Sequence, residues 1–261
     1  MAIQLLIFSD IHLDERNQNI VLEKIEALAN IVATQDITVE KLIVIVAGDF
    51  TYSAQREQFD NIRAAFALFD ELVRKKSKKI EIEYAFVPGN HDVNMLKNRD
   101  ADEIIIDNIS NKRNIEQREY KVLSERLECY NEFLKSLGIY NETDNYIYED
   151  KLIRCENNFY IKLDLYNSSF LAKFNQEKGK LFIPLNAVRK NEKLDDYLTI
   201  AIIHHPLSWF EEKCRQELQN YIEESSNIFI SGHEHAVDLY NKKKITSSVF
   251  HVEAPAFHEN E

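Results

Sequence analysis

The feature that most constrains the fold is the alternation of short apolar runs with longer helical patterns in the first third of the chain. Ile3–Phe8, Leu42–Val46 and Ile82–Val87 are short runs rich in β-branched residues, which predict buried strands. Between them, Ile20–Thr34 and Phe59–Val73 carry apolar residues at helical spacing. This βαβαβ order predicts a largely parallel sheet covered by helices.

The rest of the chain has a different pattern. Asp102–Leu137 is a long, highly charged helical pattern, which we interpret as an insertion or cap over the core. Tyr146–Tyr166 alternates in the manner of antiparallel strands. A further helical stretch is expected before the strands Leu198–Ile203, Ile228–Ile230 and Ile245–Val252. The second half therefore predicts a second, mixed sheet.

Length and composition favour one domain over residues 1–261. The chain has only five glycines and four prolines and lacks a low-complexity linker. Its three cysteines, Cys129, Cys155 and Cys214, are scattered and odd in number, so we expect reduced thiols. The sequence has neither a basic leader nor an apolar run of membrane-spanning length, which predicts a cytoplasmic protein without membrane partners.

The formal net charge of -12 argues against broad adhesion to nucleic acid or to anionic membranes. Two short basic segments, Arg74–Lys79 and Lys242–Lys244, could form local basic patches. We interpret them as a helix end and a turn that are solvated by lysines.

Five of the predicted strands end in residues that can bind metal ions. The motifs are Asp10-Ile11-His12, Gly48-Asp49, Gly89-Asn90-His91-Asp92, His204-His205-Pro206 and Gly232-His233-Glu234-His235. Sites in open α/β sheets form beyond the carboxyl ends of strands, and glycine lets the backbone approach a metal closely. One such motif alone is usually a turn. Five in this order, each after an apolar run, predict a shared metal site.

The ordered motifs, which extend from residue 10 to residue 235, resemble those of the calcineurin-like metallophosphoesterase superfamily. The resemblance implies a four-layer α/β/β/α sandwich, with two mixed sheets face to face and helices outside. The segments Gly48–Thr51 and Val87–Asp92 look most like the branch of class III cyclic-nucleotide phosphodiesterases and their bacterial relatives. The activity implied is hydrolysis of a phosphate ester, foremost a phosphodiester, by a hydroxide activated by two divalent cations.

The same resemblance implies roles for individual residues. A first metal would be held by Asp10, His12 and His235, and a second by Asn90, His204 and His233. Asp49 would bridge both metals. His91 would stabilise the transition state or protonate the leaving oxygen, as histidine can near neutral pH. Imidazole and carboxylate donors without thiolates suit Mn²⁺, the leading candidate, or Fe, Zn²⁺ or Ni²⁺.

Two positions in these motifs leave alternatives open. His205 competes with His204 for the ligand role, although the spacing to Pro206 favours His204 and strand alternation should separate the two rings. Many members of the superfamily carry a carboxylate three residues after the bridging aspartate, paired with the catalytic histidine. Tyr52 occupies that position, so the pair is absent or another acid supplies it, with Asp92 nearest in sequence.

Other residues with reactive side chains are expected to lie outside the site. These are His251 and His258, and also Trp209, Cys155 and Cys214, for which core packing is the expectation. The expected partner is a phosphate-ester substrate, which includes nucleotides and nucleic acid. Two other functions compete: a nuclease that uses the same metal site, and a non-catalytic scaffold, which the retention of all the candidate ligands disfavours.

The end of the chain suggests one more expectation. After Ile245–Val252 the sequence closes abruptly, and an unpaired strand edge there would be a pairing hazard. We therefore expect that the chain, residues 1–261, is the N-terminal portion of a longer protein. The rest of that protein would complete the sheet. The alternative is that Val249–Val252 is already a covered edge.

Overall fold

The computed structural model describes residues 2–34, 39–76, 79–142, 145–188, 197–235, 237–243 and 248–257. The smaller of its two sheets consists of β1 (Ile3–Phe8), β2 (Lys41–Ala47) and β3 (Glu81–Val87), in that order and all parallel. The connections are α1 (Gln18–Ala33) and α2 (Arg56–Lys76). All seven residues of β2 are buried, as expected for the central strand of a parallel sheet covered on both faces. The predicted βαβαβ unit is confirmed.

The larger sheet has six strands among the described residues. They are β4 (Tyr148–Arg154), β5 (Tyr160–Tyr166), β6 (Tyr197–Ile203), β7 (Ile228–Ser231), β8 (Asp238–Lys243) and β9 (Ser248–Glu253). Their order is β4-β5-β6-β7-β9-β8, with parallel pairs in the centre and antiparallel pairs at both edges. The predicted second, mixed sheet is therefore confirmed.

The two sheets pack face to face. Apolar side chains from one face of each sheet form a continuous core between them: Ile43, Ile45, Ala47, Ala85 and Val87 from the smaller sheet, and Ile161, Leu163, Ile200, Ile202 and Ile230 from the larger. A second core lies under the outer helices. The four-layer α/β/β/α fold is confirmed, with the difference that the described strands of the smaller sheet are all parallel rather than mixed.

The charged segment predicted as an insertion forms three helices, α3 (Arg99–Lys112), α4 (Gln117–Ser124) and α5 (Glu128–Ser136). It is less exposed than expected. Phe133 of α5 stacks on Phe59 of α2 with ring centroids 5.5 Å apart, and both rings are buried. Buried residues of all three helices belong to the core under the outer helices. The segment is therefore part of the outer helical layer. Its role as a cap that shapes access to the site stays a prediction.

The helical stretch expected between Tyr166 and Leu198 is wrong for residues 167–188, and residues 189–196 lie outside the described residues. Between 167 and 188 the chain has only a short 3₁₀ turn, Leu185–Ala187. The buried guanidinium of Arg126 instead donates to the carbonyls of Phe170 and Ala172, at 3.1 and 2.7 Å. A side chain thus satisfies backbone groups that a helix would have paired internally. The helix lies after the His204–Pro206 motif, as α6 (Glu212–Ser225).

The end of the larger sheet also differs from the expectation. Residues 245–247 of the expected strand lie outside the described residues, and β9 begins at Ser248. β9 pairs with β7 on one side and with β8 on the other, so the expected unpaired edge at Val249–Val252 is wrong. Lys242 and Lys243 belong to β8 rather than to a turn, whereas Lys244 and His258 lie outside the described residues.

The structure also describes the cysteines and the lengths of the helices. All three cysteines are free, with Cys214 fully buried and Cys129 and Cys155 partly exposed. None of the helices in the described ranges is both long enough and apolar enough to cross a lipid bilayer.

Candidate metal centre

The carboxyl ends of five strands meet at one edge of the sandwich. The amide of Asp10, after β1, donates to the carbonyl of Gly48, after β2, at 3.0 Å. The amide of Gly232, after β7, donates to the carbonyl of His204, after β6, at 2.9 Å. These bonds join the turns of each sheet, and the candidate ligands predicted from the sequence come together at this edge.

The backbone at this edge is strained. Five of the eight non-glycine residues with positive φ in the described parts of the chain belong to the strand-end motifs: Asp10 (φ 53°), His12 (46°), Asp49 (55°), His233 (75°) and His235 (54°). Such conformations cost about 1–3 kcal/mol each and persist only where the surroundings enforce them. Their concentration at one place marks it as a functional site.

The first group of side chains consists of Asp10, His12 and His235. Oδ1 of Asp10 lies 3.6 Å from Nε2 of His12 and 3.4 Å from Nε2 of His235. The two imidazole nitrogens are 3.3 Å apart. His12 is buried and His235 is exposed, so this group opens to solvent on one side.

The second group consists of Asn90, His204 and His233. Nε2 of His204 lies 3.1 Å from Oδ1 of Asn90 and 3.2 Å from Nδ1 of His233. The other nitrogen of His204, Nδ1, lies 2.7 Å from the carbonyl of Ala47. Because a carbonyl can only accept, Nδ1 carries the proton and Nε2 faces the site.

Asp49 lies between the two groups. Its Oδ2 is 3.3 Å from Nε2 of His204 and 3.8 Å from Nε2 of His12, and its side chain is almost fully buried. Its Oδ1 accepts the amide of His91 at 2.8 Å. One carboxylate is thus shared by both groups, in the position that the sequence predicted for a bridging ligand.

His204 and His205 occupy different surroundings. His205 is buried, and its Nδ1 lies 2.9 Å from the hydroxyl of Ser168. Its ring nevertheless contacts the ring of His233, with centroids 4.6 Å apart, so the expected separation onto opposite faces is wrong. β6 ends at Ile203, and strand alternation does not extend to the next two residues. His204 contacts Asp49 and Asn90 directly, which favours it over His205.

Electrostatics at the site reflect the shared carboxylates. Burial raises the pKa of the Asp10 carboxyl, but the nearby imidazoles of His12 and His235 outweigh it and hold that pKa well below its usual range. Burial lowers the pKa of His204, but the carboxylates of Asp49 and Asp10 raise it more, to about 9. Burial and the charge on His204 lower the pKa of His233 to about 4. A proton on His204 thus supplies positive charge that a bound cation would otherwise bring.

The donors fit divalent cations. Oδ1 of Asp10 and Nδ1 of His12 are buried and have no hydrogen-bond partner among the described residues. Four sets of three side chains, drawn from His12, Asp10, Asp49, His91, His204, His205, His233 and His235, place their donor atoms within 4.8 Å of one another. Imidazole nitrogens and carboxylate oxygens without thiolates suit first-row divalent metals. The arrangement is therefore suited to bind metal.

Close approach at two glycines makes this arrangement possible. A Cβ at Gly89 would lie 2.0 Å from Oδ1 of Asp49, and one at Gly48 would lie 2.5 Å from Nδ1 of His204. Gly48 also has a φ of 94°, which side chains rarely adopt. The two glycines therefore allow the backbone to lie close to the side chains of Asp49 and His204, while their close approach to a metal stays a prediction.

His91 lies beside the site, but Asp92 is not its partner. The Asp92 carboxylate accepts the amides of Phe50, Thr51 and Gly89, at 2.9–3.1 Å, and the hydroxyl of Thr51 at 3.1 Å. Burial, with a further contribution from Asp49, raises its pKa to about 7. The Asp92 carboxylate therefore links the turn after β2 to the turn after β3. Nδ1 of His91 instead lies 2.7 Å from the backbone carbonyl of Tyr52, a partner that sequence patterns do not reveal.

Trp209 is a second contact that the sequence analysis missed. The ring packs against the outer core, as expected, but it is partly exposed and also meets the ring of His233 edge to face, with centroids 4.2 Å apart. Its Nε1 donates to Glu234 at 2.7 Å, and Lys178 pairs with the same carboxylate at 2.7 Å. These contacts hold the Gly232–His235 turn.

Comparisons with known proteins show the family to which the chain belongs. Among solved structures, the chain is similar to the phosphopantetheinyl hydrolase (PptH) from Mycobacterium tuberculosis, at 14% sequence identity and a TM-score of 0.44, over 98% of this chain and 90% of that chain. No curated protein matches. The model of one family, described as calcineurin-like phosphoesterase, matches residues 3–237. This match spans most of the sequence, and the chain therefore belongs to the calcineurin-like phosphoesterase family.

Proposed function

We propose that this chain is a phosphodiesterase whose seven candidate ligands bind two divalent cations. The observation that carries the proposal is the position of Asp49, whose carboxylate lies within 4 Å of imidazoles from both groups. Asp10, His12 and His235 would hold one cation, and Asn90, His204 and His233 the other. Mn²⁺ is the leading candidate, with Fe, Zn²⁺ or Ni²⁺ as alternatives.

The bound cations would supply positive charge to the phosphoryl oxygens and acidify the attacking water. The protein's own residues arrange the rest. The carbonyl of Ala47 fixes the tautomer of His204 so that Nε2 faces the site, and strained turns aim His233 and His235 inward. Such orientation reduces the reorganisation that the reaction would otherwise require.

His91 is the proposed general acid. Its Nδ1 donates to the carbonyl of Tyr52, so in the imidazolium form the second proton lies on Nε2, which would give it to the leaving oxygen and leave the neutral Nδ1–H ring. Its amide is held by Asp49, which fixes the backbone of the turn beside the site. Protonation matters most for poor leaving groups, such as alkyl alcohols.

The preference for a diester over a monoester comes from the resemblance of the segments Gly48–Thr51 and Val87–Asp92 to class III cyclic-nucleotide phosphodiesterases. Placement in the class III cyclic-nucleotide phosphodiesterase-like branch and a cytoplasmic location, supported by three free cysteines, are parts of the same proposal.

The test is a hydrolysis screen with Mn²⁺ over phosphomonoesters, bis(p-nitrophenyl) phosphate, cyclic nucleotides and single-stranded DNA. We expect turnover of diesters that is lost with a chelator and lost in Asp49→Asn. The matched control is Asp60→Asn, an exposed carboxylate that pairs with Arg63 on α2 and should leave turnover unchanged.

The other outcomes distinguish the alternatives. Preferential cleavage of DNA would replace the proposal with a nuclease. Full metal occupancy without turnover of any ester would favour a non-catalytic scaffold.

A further inference from the structure

The partner of His91 is unusual because it belongs to the backbone. The carbonyl oxygen of Tyr52 lies 2.7 Å from Nδ1 of His91, and a carbonyl can only accept, so Nδ1 must donate. Neither nearby carboxylate bonds the ring: Asp92 binds backbone amides and a hydroxyl, and Asp49 accepts the backbone amide of His91. The orientation of the ring therefore depends on where residue 52 is held.

The side chain of Tyr52 contacts the same histidine. The two rings lie 5.6 Å apart between centroids and are tilted by 38°. The ring of His12 also meets the His91 ring, edge to face, with centroids 4.8 Å apart. His91 thus contacts two rings while its Nδ1 is fixed by a hydrogen bond.

A charged pair holds Tyr52 in turn. The guanidinium of Arg16 lies over the Tyr52 ring, 5.2 Å from its centroid. Nε of Arg16 donates to Oδ2 of Asp14 at 2.7 Å, and a second guanidinium nitrogen binds the same oxygen. Asp14 is buried and also accepts the amides of Arg16 and Asn17, so the pair has a fixed position at the start of α1.

Exposure argues that this arrangement serves more than packing. The Tyr52 residue is 43% exposed and the Arg16 side chain is 73% exposed. Both border an open cleft of about 680 Å³. An aromatic ring left half in water at the edge of a reaction site contributes little to the core. Its described ring contacts are His91 and the guanidinium of Arg16.

We propose that Tyr52 is a positioning residue for His91, and that the Asp14–Arg16 pair holds it there. This arrangement replaces the carboxylate that many members of the superfamily carry at the same position. The inference rests on the proposed function, in which His91 gives a proton to the leaving oxygen. The backbone carbonyl of Tyr52 would orient the His91 ring, and the cation–π contact of Arg16 with the Tyr52 ring would hold residue 52 in place.

Kinetics provide the first test. Tyr52→Ala should lower kcat about tenfold for a 3′,5′-cyclic nucleotide, whose leaving oxygen is an alkyl alkoxide, which corresponds to about 1.4 kcal/mol. The effect on bis(p-nitrophenyl) phosphate, whose leaving group needs no proton, should be about twofold or less, with KM changed little for both substrates. Tyr52→Phe keeps the ring and should restore both rates.

Variants of Arg16 and His91 complete the kinetic test. Arg16→Ala should slow the cyclic nucleotide about two- to fivefold, since an exposed cation–π contact is weak. In a His91→Ala background, Tyr52→Ala should add no further loss, because the group that it positions is gone. Arg215→Ala is the matched control: this arginine pairs with Glu212 on α6, away from the site, and its loss should change neither rate.

A second readout does not depend on hydrolysis. Imidazole ¹⁵N spectra of the Zn²⁺-loaded protein, recorded at alkaline pH so that the ring has given up its Nε2 proton, should show neutral His91 as a single Nδ1–H tautomer. Tyr52→Ala should convert it to a mixture of tautomers. If no ester is hydrolysed, the proposed function fails while these spectra still test the positioning. Unchanged tautomers in Tyr52→Ala would overturn the inference. So would an equal loss of rate on both substrates, or additive losses with His91→Ala.

Discussion

Substitution of Gly89 by alanine tests how closely the turn after β3 must approach Asp49. Gly89 has a φ of −92°, so alanine suits its backbone conformation and only the added methyl group matters. That carbon would lie 2.0 Å from Oδ1 of Asp49 and 2.3 Å from its amide nitrogen. The substitution therefore acts directly on the carboxylate shared by both donor groups.

The size of the effect follows from these distances. Non-bonded heavy atoms prefer separations of roughly 3.5–4.0 Å, so the carboxylate or the turn must retreat by about 1.5 Å. Metal–ligand distances tolerate deviations of only about 0.2 Å. We expect a loss of metal affinity of at least about 10- to 100-fold, and a loss of folding stability of about 1–3 kcal/mol from overpacking.

The assay is calorimetric titration of the metal-free protein with Mn²⁺, accompanied by thermal unfolding. Gly138→Ala is the matched control, because a Cβ there meets no atom within 4 Å although φ is 71°. It should cost about 1–2 kcal/mol of stability through backbone strain and leave metal affinity unchanged. Metal affinity in Gly89→Ala equal to that of the wild type would refute the reasoning.

Three further predictions address the ligands and the proton donor. Asp49→Asn should reduce metal binding at both positions, since it removes the carboxylate that contacts both groups, and elemental analysis with full occupancy would contradict this. His91→Ala should retain its metals yet lose about 10²–10⁴-fold in turnover of an alkyl diester, measured by steady-state kinetics, and near-wild-type rates would exclude the acid role. His204, with a pKa of about 9, is protonated in the metal-free protein below that pH. A cation needs the lone pair of its Nε2, so binding at neutral pH should release about one proton, and apparent affinity should rise from pH 7 to pH 9. Calorimetry in buffers of different ionisation enthalpy measures that release, and affinity that falls over this range would contradict the assignment.

The first half of the fold and most of the site could be predicted because they depend on local patterns. A run such as Leu42–Val46 is apolar throughout since the central strand is covered on both faces. In a parallel sheet the strands share one carboxyl end, so residues that follow β1, β2 and β3 must lie near one another. That rule brings Asp10, Asp49 and Asn90 together without knowledge of any side-chain contact.

The misses depend on tertiary contacts that have no local pattern. The buried apolar side chains of Phe170, Leu171 and Phe182 lie in irregular backbone, because partners distant in sequence, such as Arg126, satisfy its carbonyls. β8 was missed because Asp238–Lys243 is a polar edge strand without apolar alternation.

The surroundings of the site histidines could not be derived either. The contact of Tyr52 with His91 runs through a backbone carbonyl, which carries no mark in the sequence. The contact of Trp209 with His233 brings together residues from different turns. In both cases the residue type does not indicate its neighbour. The contact follows from the arrangement of the turns in the folded chain.

The most direct test of the central claim is an anomalous-scattering measurement at the manganese edge on crystals grown with Mn²⁺. The account predicts two peaks about 3.5–4 Å apart, one on each side of the Asp49 carboxylate. The first should contact Asp10, His12 and His235, and the second Asn90, His204 and His233. No peak beside Asp49, or a single peak held by only one of the two groups, would contradict it.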